Sequence, residues 1–155
     1  MSSPKGDPID EMDQDPGVYL SSFFKDYRLF SRAMTHRSYL NEHPEALEDN
    51  ERLEFLGDAV LDFLVGAWLY NRYPEMAEGS LTRLRAALVG NERLADFARD
   101  LRLGEVMRLG RGESDSGGRN RYALLGSTFE AFIGALYLDG GIPAVRKFMD
   151  PFLED

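Results

Sequence analysis

No cysteine occurs anywhere in the 155 residues. Its absence excludes disulfides and thiolate metal sites, and it makes a reducing cytoplasm the natural location. Long apolar runs are missing too: the longest, Ala59 to Tyr70, is broken by Asp62 and falls short of the ~20 residues a membrane span needs. A soluble protein with no membrane partner is expected. Basic residues are in deficit, 18 Lys and Arg against 27 Asp and Glu, for a net charge of −9. That balance argues at first against a nucleic-acid partner, because phosphate neutralisation supplies most of such affinity. Finally, no stretch alternates apolar and polar residues as a half-buried strand does. An all-α fold follows.

What is present is unevenly placed. Residues 42–62 carry eight acids and one arginine, Arg52, whereas residues 83–121 carry nine arginines against six acids. An acidic centre beside an arginine-rich half suits a polyanion held over bound cations, and it equally suits an ordinary mixed surface. The length fits one domain. Residues 1–16, polar and acidic without an apolar core, read as a disordered leader that is neither signal peptide nor anchor, and residues 17–155 as the folded unit. Helical spacing predicts helices near 17–24, 27–35, 50–72, 80–89, 91–100, 120–139 and 142–153. Asn50, Ser80 and Asn91 suit N-caps and Pro143 a first turn, while Gly79, Gly90 and Gly140–Gly141 punctuate connections. The glycine-rich segment GRGESDSGGRNR, 110–121, reads as a flexible loop that either touches a ligand or simply connects.

The sharpest feature is ERLEFLGDAVLDFL, residues 51–64. At ~100° per residue, Glu51, Glu54, Asp58 and Asp62 fall within one arc of about 80°, with Leu53, Leu56, Val60, Phe63 and Leu64 opposite. The stripe is either the wet face of an amphipathic helix or a cation site, since like charges three and four residues apart repel. A second helix, GSTFEAFIGALYLDGG at 126–141, has an apolar face and a face of small residues, Ser127, Ala131, Gly134 and Ala135, with Glu130 beside it. If the two helices cross at their small residues, Glu130 arrives next to Glu54 and Asp58. Three converging carboxylates in a partly dry site need protons or a metal, and such oxygen donors suit Mg2+ and phosphodiester hydrolysis.

ERLEFLGDA at 51–59 resembles the nine-residue signature of the ribonuclease III family of double-strand-specific RNA endonucleases. AMTHRSYLNE at 33–42, EGSLTRLR at 78–85 and TFEAFIGALYLD at 128–139 match further blocks in the same order. The resemblance covers about residues 17–153. It implies an all-α endonuclease domain acting as a homodimer on double-stranded RNA, with Mg2+ as cofactor and Mn2+ as a substitute. Products would be 5′-phosphate and 3′-hydroxyl ends, with rRNA and mRNA precursors as substrates. By motif position, Glu54, Asp58 and Glu130 would hold metal, Asp58 and Glu130 being catalytic, with Glu51 and Glu78 as accessory acids. Phe55 would plug a pocket on the partner subunit; its alternative is ordinary core packing. Thr35, His36 and Ser38 match a block near the RNA valley, and Arg83, Arg85, Arg119 and Arg121 are candidates for phosphate contact or plain solvation.

Two departures from the family pattern carry weight. Ser127 stands where the family has aspartate, which removes a formal charge from the metal site while leaving room for a bridging water. Residual activity with a raised metal requirement is the expectation. The alternative is a catalytically impaired homologue that binds duplex RNA or the ribosome, and a third reading is a purely helical interaction domain. The second departure is length: bacterial members continue into a double-stranded-RNA-binding domain where this sequence stops, which implies weak RNA affinity.

Overall fold

The computed structural model describes residues 15–46 and 48–153. Eight α-helices are described: α1 (Pro16–Ser21), α2 (Tyr27–Ala33), α3 (Arg37–Glu42), α4 (Glu51–Arg72), α5 (Glu78–Val89), α6 (Asn91–Asp100), α7 (Arg111–Asp115) and α8 (Tyr122–Leu153). Single 3-10 turns cover Leu103–Glu105 and Gly118–Asn120. Among the described residues there is no strand, only an isolated parallel bridge between Thr35 and Arg108. The all-α expectation holds. No described helix is long and apolar enough to cross a membrane. The expected leader falls largely outside the described residues, but its last residue, Pro16, already opens α1, with the Asp15 carboxylate accepting from Gly17 N at 2.8 Å.

The fold is organised around the first arm of α8. Leu125, Phe129 and every residue from Ala131 to Leu136 are buried, so the middle of this arm is covered on all sides, as a helix segment apolar all round must be. Its most extensive partner is α4, followed by α6 and α2. Gly141, at φ 73° and ψ −171°, breaks α8 and turns its second arm back. A left-handed φ there suits glycine and little else. Phe148 on that arm packs edge-on against Phe23 at 5.1 Å and lies 4.9 Å from Phe132, which closes an aromatic core.

Several local expectations are corrected. Asn50 takes the N-cap position of α4 as expected but makes no side-chain capping bond: its side chain is buried and donates to Ala33 O at 2.9 Å, and Asp49 instead accepts from Glu51 N at 3.0 Å. Ser80 and Gly79 lie inside α5, which begins at Glu78, and Asn91 is the first residue of α6 after the Gly90 cap. Residues 37–42 form a helix that apolar spacing does not reveal. The 110–121 segment is not a bare loop, because it contains α7 and a 3-10 turn. Phe63 departs from the apolar side assigned to it and is 61% exposed.

Candidate active site

The site is built where α4 crosses α8. A Cβ on Gly57 would overlap the carbonyl of Glu130 and sit 2.9 Å from Gly134 N, and a Cβ on Gly134 would overlap the carbonyl of Leu53. Two glycines facing each other therefore set the closest approach of the helices, as the small-residue faces predicted. Every neighbour in that contact is backbone, so no side-chain rotation relieves an added methyl.

The crossing delivers Glu130 to the acidic stripe. Its carboxyl is half-buried and its pKa is pushed up to about 8, first by desolvation, then by a hydrogen bond shared with Asp58, then by the charges of Asp58, Glu54 and Asp62. The shift measures how closely the crossing crowds these carboxylates. Asp58, Glu54 and Glu130 are thus brought together as expected, and Asp62, absent from the set implied by the resemblance, adds to the field. Glu51 and Glu78 are not among the charges acting on Glu130: Glu51 faces Arg37 at 3.8 Å, and Glu78 opens α5 in solvent. Among the described residues, no three histidine, aspartate or glutamate side chains are gathered tightly enough to enclose a metal ion unaided.

Ser127, one turn before Glu130, is half-buried and lines a cleft of about 300 Å3 together with Glu54, Glu51, His36, Arg37 and Leu124. The cleft joins the start of α3 to the α4–α8 crossing. His36 caps α3, its Nδ1 accepting from Ser38 N at 3.1 Å and lying 2.7 Å from Ser38 Oγ. Ser38 Oγ in turn accepts from Gly110 N at 2.9 Å. With Nδ1 serving as acceptor, the ring N–H belongs to Nε2. Arg37, an exposed cation on the rim of this cleft, was missed by sequence reasoning although it follows His36 directly.

Some expected RNA-facing residues turn inward. Thr35 is 1% exposed and its hydroxyl donates to Ser31 O at 2.7 Å, so it fixes the α2–α3 turn. Arg119 donates to Gly104 O at 3.0 Å and Met107 O at 2.5 Å and is consumed as a brace. Arg121 is ion-paired with Glu113. Arg85 packs beside Gly66, whereas Arg83 is exposed and donates to Ser80 Oγ at 3.2 Å. Phe55 is 81% exposed, which removes core packing as its explanation. It borders a surface cavity of about 530 Å3 with Leu53, Leu56 and Leu138.

Residues 26–155 match the family described as Ribonuclease-III-like. A Ribonuclease 3 of Listeria monocytogenes serotype 4a is 54% identical over 128 residues, which are 82% of this chain and 56% of that protein. A Ribonuclease 3 of Geobacillus kaustophilus is 55% identical over 128 residues, 82% of this chain and 52% of the relative. The chain thus spans about half the length of the curated relatives it matches. Among solved structures, a nuclease domain of Ribonuclease III from Campylobacter jejuni superposes with a TM-score of 0.80 at 37% identity, covering 94% of this chain and 96% of the other. That structure is described as showing flexibility in a region involved in dimer formation. A Dicer structure from Pichia stipitis gives a TM-score of 0.58 at 32% identity, over 84% of this chain and 57% of the solved chain.

Proposed function

The chain belongs to the ribonuclease-III-like family, and from that premise we propose that it is a divalent-metal-dependent endoribonuclease that cuts duplex RNA as a homodimer. The observation that carries this reading is the close crossing of α4 and α8 at Gly57 and Gly134, which sets the Glu130 carboxyl within hydrogen-bond reach of Asp58 and in the field of Glu54 and Asp62. The donor set is all carboxylate oxygen, which fits a hard cation such as Mg2+ with water completing its shell. Asp58 and Glu130 would hold it, with Glu54 turning in from the same helix face. When bound, such a cation supplies Lewis-acid polarisation of a phosphodiester and lowers the pKa of adjacent water. The protein's own residues do the rest. Gly57 and Gly134 fix the spacing of the two acid-bearing helices, the half-buried position of Glu130 strengthens its electrostatics, and His36 and Arg37 on the cleft rim face the RNA backbone. Substrate recognition would rest on A-form shape, phosphates and 2′-hydroxyls, with rRNA and mRNA precursors as natural duplexes and the cytoplasm as location. Phe55, exposed beside an apolar cavity, supports a plug-and-socket homodimer.

A second reading is favoured by one specific observation. Ser127 lines the cleft with Glu54 but brings no charge, so a homologue that binds duplex RNA without cutting it is consistent with the same cleft. The two separate on cleavage of a long RNA duplex over Mg2+ and Mn2+ series. The enzyme reading expects cutting at raised metal concentration, a lowered metal requirement in Ser127→Asp, and loss of at least ~100-fold in Glu130→Gln. Silence at every metal concentration, with rescue by the aspartate, would overturn the claim that the chain is active as written, and retained binding of the same duplex would then favour the impaired binder.

A further inference from the structure

Beyond the catalytic cleft, the first turn of α8 carries a second basic feature. Arg99, exposed near the end of α6, lies with its guanidinium 4.5 Å from the ring centroid of Tyr122, which opens α8 and is 45% exposed. Among the described residues Arg99 makes no ion pair, whereas Arg102 pairs with Glu105 and Arg121 with Glu113. Arg99 also borders a shallow cavity of about 310 Å3 whose walls include Arg102, Arg119, Asn120 and Leu125. Three guanidinium groups there face a single acid, Glu105, which is already paired with Arg102. The cavity and the candidate active-site cleft lie on either side of one helical turn: Leu125 faces the former, and Ala123, Leu124 and Ser127 face the latter.

Resting on the duplex-RNA reading above, we propose that Arg99, held over the ring of Tyr122, is a phosphate-contact residue for the RNA backbone where the duplex leaves the catalytic cleft. An α-helix is only about 10–12 Å across with its side chains, and a nucleic-acid duplex carries a charge every few ångströms along its axis. A duplex seated over Ser127 and Glu54 therefore brings phosphates past the far side of the turn. The ring of Tyr122 restrains the guanidinium by cation–π attraction and leaves its N–H donors free for phosphate oxygens. A residue in this role adds affinity without reading sequence.

The test is equilibrium binding of a fluorescently labelled duplex RNA, in the absence of divalent metal, across a series of monovalent salt concentrations. Arg99→Gln is expected to weaken binding several-fold at low salt and to reduce the slope of log affinity against log salt by close to one, the value for one lost phosphate contact. Arg99→Lys is expected to restore the slope, because it keeps the charge. Equal affinity and slope in the wild type and Arg99→Gln overturn the assignment, as does a loss in Arg99→Gln that Arg99→Lys does not restore, which marks a packing defect. A wild-type chain that neither binds nor cuts duplex RNA overturns the parent reading and this one with it.

Discussion

Glu130 is a carboxyl whose ordinary pKa of 4.5 is raised to about 8 by burial and by acids on a neighbouring helix. Between those two values the folded protein keeps a proton that the unfolded chain releases, so stability falls as pH rises through that window. The side chain is only half-buried, and solvent screening reduces the effect to on the order of 1–2 kcal/mol between pH ~5 and ~8. Urea unfolding of the metal-free protein should give a midpoint that declines over this range, and Glu130→Gln should flatten the decline and stabilise the protein most at the alkaline end. Parallel pH profiles for wild type and Glu130→Gln would contradict the crowding. At this scale the acidic stripe was legible because helical periodicity alone groups Glu54, Asp58 and Asp62. The fate of the arginines was not. Arg119 and Arg121 look as available in sequence as Arg99, and only tertiary contacts show that the first serves two backbone carbonyls and the second Glu113.

The crossing of α4 and α8 is where sequence and architecture meet. Gly57 and Gly134 are unfavourable in a helix interior by roughly 1 kcal/mol each relative to alanine, so their presence needs a compensating contact, and the backbone-to-backbone approach provides it. Gly57→Ala should destabilise the protein by about 1–3 kcal/mol, the overpacking strain exceeding the gain in helix propensity. Gly66→Ala is the matched control on the same helix: its Cβ would meet only the flexible Arg85 side chain, at 3.7 Å, so a gain of up to ~1 kcal/mol is expected. Urea midpoints at one protein concentration check both, and a stabilised Gly57→Ala variant would show that the helices have slack at the site. Long helices were readable because their apolar spacing repeats over several turns. Short ones were not: α3 has no buried residue, and its start is set by the His36 side chain and by the Thr35–Arg108 bridge, which are tertiary facts. Asn50 shows the same limit, since a good capping residue was drawn instead into the buried contact with Ala33.

Across the whole molecule, the side of α4 away from the core is more apolar than solvent exposure warrants. Phe55, Phe63 and Tyr70 are 81%, 61% and 73% exposed, and Leu138 beside the Phe55 cavity is 52% exposed. Spacing along the helix puts the three aromatics within one arc of about 80°, which periodicity could have revealed had Phe63 not been counted with the core. An exposed aromatic row of this kind is an interface signature, and in the proposed twofold homodimer each feature acts twice. Fully burying one phenylalanine is worth about 1.5–3 kcal/mol, so Phe55→Ala in both subunits should weaken dimerisation by about 3–6 kcal/mol, enough to shift the sedimentation profile to monomer at low concentration. A mixed dimer with one Phe55→Ala subunit should lose half of that free energy, because one plug still fills one socket. That ratio distinguishes a symmetric plug-and-socket from a general greasy contact, in which a single substitution leaves the association nearly unchanged. A monomer–dimer equilibrium unaltered by the double substitution would remove Phe55 from the interface altogether.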